Sequence, residues 1–297
     1  MSEEQLLQLT TQQLDYLVAV ADAPTWADAA AKLGVSQSAL SQGLSQLERR
    51  VGIVLFDRDG RRRVLRPEAS GVVDYARLVV AETRSLGRWA RAVGEGGAGE
   101  LRVGMIDLAA TVQFGSTLQR FRAHHPDLRL HLGVAPSAAL SDALLAGELS
   151  LAVIVDSGHP TGDLEYTPLI SDELAIYGPQ GSERTDRADW GPWVTFPSSS
   201  HTRHLVANRL AEMGVTFDVV AESHQPEVLR GMVALGMGWT VLPVRQAETE
   251  PNPLRRATPE PLLTRQLVVA SRRSAVRTPA ADLLLAELIR EAAGIAA

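Results

Sequence analysis

Cysteine is absent from the 297 residues. That excludes a disulfide framework, a thiol redox switch, an iron–sulfur cluster and a zinc finger built on thiolates. Lysine is nearly absent too: Lys32 is the only one, so the positive charge is arginine, whose planar fork suits phosphate and guanine. No apolar run approaches the length of a bilayer span and no signal peptide opens the chain, which predicts a cytoplasmic protein without a membrane partner. Signatures of chemistry are scarce. His201 and His204 stand three apart on a predicted helix, yet no third ligand follows at metalloprotease spacing, and no Gly-x-Ser-x-Gly elbow occurs. The expectation is no enzyme, no metal and no cofactor.

What is present suits a soluble globular chain, with 45% hydrophobic and 22% charged residues and length enough for two or three domains. The net charge of -6 does not suggest nucleic acid, but its distribution does. Residues 36–66 carry Arg49, Arg50, Arg58, Arg61, Arg62, Arg63 and Arg66 against Glu48, Asp57 and Asp59, a basic patch in an acidic chain.

The same stretch has a helix, a tight turn and a second helix written into it. Thr25 can cap a helix with Asp28 at its third position, and Ala27, Ala29, Ala30, Ala31 and Leu33 propagate it. Gly34 supplies a left-handed stop and Ser36 a second cap. Leu40, Leu44, Leu47 and Val51 then form one apolar stripe. The opposite face carries Gln37, Ser38, Ser41, Gln42, Ser45 and Arg49, side chains that can bond base edges and phosphates. Asp59-Gly60-Arg61 reads as a hairpin tip, which would make the arginines a wing along the DNA backbone.

The runs Gln13-Leu14-Asp15-Tyr16-Leu17-Val18-Ala19-Val20, Ala29-Ala30, Leu33-Gly34-Val35-Ser36-Gln37-Ser38-Ala39-Leu40-Ser41, Leu47-Glu48 and Leu55-Phe56-Asp57-Arg58 resemble the winged helix-turn-helix of the LysR-type transcriptional regulators. The resemblance implies Gln37, Ser38, Ser41 and Gln42 at bases, with Ser36, Arg49 and the wing residues Arg58, Arg61, Arg62 and Arg63 nearer phosphates. Four residues and the segment after the wing depart from the family pattern. Ser38 stands for the common proline, Gly43 lies inside the recognition helix, and Pro24 and Trp26 replace glycine and phenylalanine. The segment after the wing reads Leu65-Arg66-Pro67-Glu68-Ala69-Ser70-Gly71. Lacking cysteine, the chain falls outside the family's peroxide sensors.

Pro67 suits the start of a long helix to Gly94, along which Ala69, Val72, Val73, Ala76, Val79, Val80, Thr83, Leu86, Ala90 and Val93 recur at roughly heptad spacing. That stripe wants a partner: another subunit, or the chain's own C-terminal part. The resemblance implies a dimerising linker helix and a tetramer built as a dimer of dimers. The glycine-rich 94–99 follows a helix and precedes a strand, so it reads as a hinge and not as a phosphate loop. Beyond it strands and helices alternate, as in an α/β sheet covered on both faces. Phe121, His125-Pro126, Ala146-Gly147-Glu148-Leu149, Leu151-Ala152-Val153 and the run from Val233 to Pro243 resemble the family's effector domain, itself similar to periplasmic binding proteins.

The expected architecture is multidomain: an α-rich winged helix-turn-helix (1–66), a linker helix (67–93), a hinge (94–99) and an α/β effector domain (100–297). Within the last, subdomain I takes about 100–160 and 268–297, and subdomain II about 161–267. Ligands of open α/β sheets bind beyond strand C-termini, beside helix N-termini. Three places qualify: Ile106, Asp107 and Leu108 after the first strand; Ser137, either a helix cap or a ligand contact; and the hydroxyl-rich loop with Ser199, Ser200, His201 and Thr202, cleft or solvated turn. The resemblance adds Val155, His224 and Trp239. Asp107 would repel an organic anion; it faces solvent or selects a cationic or polar ligand. The expected partners are double-stranded DNA, a small-molecule effector, further copies of the chain and RNA polymerase. The rival reading is a small-molecule-binding protein or enzyme with an N-terminal oligomerisation module.

Overall fold

The computed structural model describes residues 7–59, 62–94, 99–182, 190–250 and 252–296. Their contacts divide the chain into two units, 1–89 with 145–148, and 90–144 with 149–297. Without cysteine, neither is held by a disulfide.

The first unit opens with α1 (Thr11–Asp22), α2 (Trp26–Leu33) and α3 (Gln37–Val51). Their limits follow from caps. Thr10 accepts from the Gln13 backbone N–H while the Gln13 side chain accepts from the Thr10 N–H, a reciprocal box. Thr25 accepts from the Asp28 N–H, and Ser36 from the Ala39 N–H at 3.2 Å. Gly34 (φ 66°) and Gly52 (φ 80°) end α2 and α3 in the left-handed region, where a Cβ would be strained. Leu14, Leu17, Ala30, Leu40, Leu44, Leu47 and Leu55 are buried together. Each large apolar side chain there contributes roughly 1.5–3 kcal/mol.

The strands β1 (Phe56–Asp59) and β2 (Arg62–Leu65) pair antiparallel, from Phe56 opposite Leu65 to Asp59 opposite Arg62. After a single 3-10 turn at Pro67–Ala69 comes α4 (Ser70–Gly94), 25 residues long. The heptad stripe divides here in a way its spacing does not reveal. Ala69, Val73, Ala76 and Val80 are buried in the first unit's own core, with Val72 and Val79 packed against it. Among the residues of α4 whose side chains are described, the large apolar ones left exposed are Tyr75, Leu78, Leu86 and Trp89, and of these Leu86 belongs to the expected stripe.

The second unit contains β3 (Glu100–Met105), α5 (Gly115–His124), β4 (Arg129–Val134), α6 (Ser137–Leu145), β5 (Leu151–Val155), β6 (Leu164–Tyr177), β7 (Trp193–Thr195), α7 (His201–Glu212), β8 (Val219–Glu222), α8 (Pro226–Ala234), β9 (Thr240–Pro243), α9 (Val244–Ala247), β10 (Leu263–Arg272) and α10 (Pro279–Ala296). Six strands form one sheet in the order β4-β3-β5-β10-β6-β9. The pairs β3/β4 and β3/β5 are parallel, and β10 runs antiparallel to β5 and β6. A separate parallel pair, β7 and β8, touches β9 through a bridge from Trp193 to Trp239. The 14-residue β6 pairs with β10 along its length and with β9 at its end, Leu174 to Tyr177. One core packs Trp190, Trp193, Leu210, Trp239 and Val241, and another packs Tyr177, Val194, Phe196, Leu229 and Leu242.

Candidate functional site

Two groups of residues stand out, one in each unit. In the first, α3 holds its leucines inward and its polar face outward. Leu40, Leu44 and Leu47 are buried, while Ser36, Gln37, Ser38, Gln42 and Arg49 are exposed and Ser41 and Ser45 are half-buried. The Ser36 and Ser38 hydroxyls lie 2.9 Å apart at the start of the helix. Arg50, one residue from Arg49, is spent inward: it donates to Gln13 Oε1 at 3.0 Å, and Gln13 Nε2 donates to Gln46. This network fixes α3 on α1 without using the outer face.

Gly43 has a direct structural cause. A Cβ there would lie 2.7 Å from Cδ2 and 2.8 Å from Cε2 of Tyr16, so the α1 ring occupies the space of a side chain. Glu48 was not singled out as a site residue, yet it positions the wing. Its Oε1 accepts from the Leu55 N–H at 2.8 Å and the Phe56 N–H at 3.4 Å, tying the end of α3 to β1. Trp26 packs edge-on against Phe56, with centroids 5.0 Å apart. Of the expected wing residues, Arg58, Arg62 and Arg63 lie on β1 and β2, Arg58 opposite Arg63. Arg61 lies outside the described residues. Arg66 has acidic company, Asp57 at 3.5 Å and Glu68 at 3.6 Å, which offsets its charge locally.

In the second unit, side chains on or beside seven elements join in a ring around the ends of β3 and β5. Asp107, two residues past β3, accepts from Gln246 Nε2 of α9 at 2.8 Å. The neighbouring Arg245 acts electrostatically on Asp172 of β6. Asp172 is paired with Arg265 of β10, directly opposite it in register, at 2.9 Å from Nε and 2.8 Å from Nη2. Arg265 Nη1 donates to Thr202 Oγ1 of α7 at 2.8 Å. His201 lies against Asp156, and Asp156 follows β5, whose last N–H, that of Val155, donates to Ser137 Oγ at 3.1 Å. Arg265 and Asp172 are 6% and 3% exposed. Burial raises the Asp172 pKa, and the guanidinium beside it opposes the rise. Burial, helped by His204, holds His201 below the usual histidine value, while the smaller effect of Asp156 opposes this.

Asp107, Ser137, Val155, His201 and Thr202 are therefore brought together. Ile106 and Leu108 flank Asp107 as buried apolar side chains. Ser199 is exposed, and Ser200 stands at the start of α7 without making a side-chain cap. Ser137 is the first residue of α6 and its hydroxyl serves β5, not a cap. Two residues fall elsewhere. Trp239, just before β9, is 4% exposed and packs on Trp190 in the interior, with ring centroids 6.1 Å apart. His224 is exposed, in the segment between β8 and α8. Sequence reasoning missed Asp156, Asp172, Arg265 and Gln246. Asp172 stands between Ser171 and Glu173 and Arg265 between Thr264 and Gln266, so neither is marked as buried by its neighbours in sequence, and only the strand register sets one against the other.

Residues 11–71 match the model of the bacterial regulatory helix-turn-helix protein, lysR family, and residues 94–293 that of the LysR substrate binding domain. The HTH-type transcriptional regulator YfeR of Shigella flexneri is 26% identical over 284 residues, covering 92% of this chain and 91% of its own. Among solved structures, ArgP from Mycobacterium tuberculosis aligns with a TM-score of 0.67 at 17% identity, covering 97% of this chain and 98% of that one. Full-length CbnR in complex with its target DNA aligns at 0.60 and 18% identity over 96% and 100%. At such identities these two structures establish a common fold.

Proposed function

The chain belongs to the LysR family of bacterial transcriptional regulators, and from that premise we propose that it is a cytoplasmic, effector-responsive member whose α3 reads the major groove. One observation supports this most: α3 keeps its leucines in the core and leaves Gln37, Ser38 and Gln42 exposed. In this reading Gln37, Ser38, Ser41 and Gln42 meet base edges. Ser36, Ser45, Arg49 and the wing arginines Arg58, Arg61, Arg62 and Arg63 meet phosphates. The domains are the winged helix-turn-helix (1–66), the linker helix (67–93), a hinge (94–99) and the effector domain, with subdomain I at about 100–160 and 268–297 and subdomain II at about 161–267. Linker helices pair two copies, two such dimers assemble on DNA, and RNA polymerase is the downstream partner. The ring around Asp107, Ser137, Val155, His201 and Thr202 is the effector site. Effector binding favours one assembly on DNA over another through its differential affinity for the two.

The test is binding to the duplex upstream of the protein's own gene, titrated against salt. Affinity should fall steeply with salt, because phosphate contacts release counterions. Replacing Arg61, Arg62 and Arg63 together with alanine should weaken binding to all duplexes alike and flatten that slope. Gln37→Ala should instead relax sequence preference, at a cost of about 1–3 kcal/mol on the cognate site. An unchanged preference in Gln37→Ala removes the readout assignment. A protein with no preference for any duplex supports the rival oligomerisation module.

A further inference from the structure

The ring has an uneven balance of donors and acceptors. Its buried cation, Arg265, is already committed to Asp172 and Thr202. Arg245 is exposed and acts on the same Asp172. Asp107 and Asp156 have no cation paired with them among the described residues: Asp107 accepts from Gln246, and Asp156 accepts from the Gly158 N–H at 2.8 Å. Gln246 is 4% exposed, and its Oε1 is buried without a hydrogen-bond partner among the described residues. The orientation of that amide is fixed by chemistry. Its nitrogen must face the Asp107 carboxylate, because turning it over would set oxygen against oxygen. The orphaned Oε1 therefore sits on the same amide carbon as the group bonded to Asp107. A buried acceptor left unmade is costly, and a carboxylate beside it adds a negative charge. Both ask for a donor, and a positively charged one satisfies both at once.

We propose that the effector carries an ammonium group, which binds between the Asp107 carboxylate and Gln246 Oε1. This rests on the reading of the ring as the effector site. An ammonium has three donors and no acceptor, so it fits a pair of acceptors that a carboxylate ligand would only crowd. The opposite wall allows a second group on the same molecule. The helix α7 opens without a side-chain cap, so its first-turn N–H groups suit an acceptor further along the ligand.

Compounds with one carbon skeleton and different ends separate the possibilities: putrescine, 4-aminobutyrate, 1,4-butanediol and succinate, with benzylamine and benzoate as a second set. The readouts are the melting temperature of the full-length protein and calorimetric affinity, with Asp107→Asn and Gln246→Leu measured alongside. Operator binding of the unliganded variants serves as the check that each is folded. The expected result is that amine-bearing compounds raise the melting temperature and acids do not. Asp107→Asn should then weaken the amines at least about tenfold, and Gln246→Leu by a smaller factor, as loss of a charge-assisted and a neutral contact do. Stabilisation by succinate or benzoate alone, undiminished in Asp107→Asn, overturns the ammonium assignment and leaves the effector site standing. Amines that bind equally well to both variants overturn it too, since the group then docks elsewhere. If no compound in either set binds, the ammonium assignment falls and the effector reading of the ring falls with it.

Discussion

Gly43 is an instructive single residue, because two opposing effects meet there with known sizes. Alanine is the better helix former by about 1 kcal/mol, so a glycine inside α3 looks like an error that one substitution would repair. The Tyr16 ring argues the other way. A Cβ at 2.7 Å must push that ring, and the ring is itself buried, with its hydroxyl 2.9 Å from Gln12 Nε2. Overpacking a filled core costs about 1–3 kcal/mol, which exceeds the propensity gain. Gly43→Ala should therefore lower the melting temperature by a few degrees instead of raising it. The same substitution in a Tyr16→Leu background should recover much of the loss, a coupling that a double-mutant cycle by thermal unfolding would measure. A stabilised Gly43→Ala protein would show that Tyr16 yields freely. Glycine here marks a helix–helix contact, and the departure from the expected pattern acquires a mechanical reason.

At the scale of elements, α4 separates the apolar residues a chain uses for itself from those it leaves for others. Its buried side is spent on the first unit's core, whereas Tyr75 and Leu86 are 52% and 54% exposed and Leu78 and Trp89 accompany them. If these four form the seam between linker helices, Leu78→Glu with Leu86→Glu should shift sedimentation from dimer or tetramer to monomer and weaken operator binding by more than tenfold. The unfolding temperature of the isolated monomer should hardly respond, since neither side chain is buried within it. The same charges placed at Val73 and Ala76 would unfold the protein, which separates the two faces experimentally. Periodicity reported one stripe where the molecule has two, because it records where apolar residues recur and not which neighbour covers them. The caps were more legible. Thr25, Gly34, Ser36 and Gly52 name their own roles, and the helices of the first unit end where they say. The strand β6 was the opposite case. Its first ten residues mix charges with Pro168 and show no alternation, so only pairing with β10, with a register shift beside Pro168, makes them a strand. The ring proposed as the effector site was foreseen in part for the same reason. Residues beyond strand ends and at helix starts could be named from sequence, but Asp172 and Arg265 become a pair only through register, and Gln246 reaches Asp107 across 139 positions of chain.

For the molecule as a whole, the helix proposed to read DNA and the ring proposed to bind the effector lie in different units, so any regulation between them is a coupling free energy and must be reciprocal. If an effector tightens operator binding by about tenfold, the operator must tighten effector binding by the same factor, a coupling of about 1.4 kcal/mol. The pair of measurements can be made with one protein: operator affinity with and without saturating effector, and effector affinity with and without saturating operator, at a fixed salt concentration because the phosphate contacts are salt-sensitive. Equal factors would establish that both ligands bias one equilibrium of assemblies. Unequal factors would mean that a further component, such as a change in the number of subunits bound, enters one titration and not the other. Weakening the pairing of linker helices sharpens the result. With Leu78→Glu and Leu86→Glu the protein should still bind its effector at the monomer's own affinity, but operator and effector should no longer alter one another. If the coupling factor survived intact in the monomeric variant, the linker helices would not carry the signal, and a route within a single chain would have to replace them.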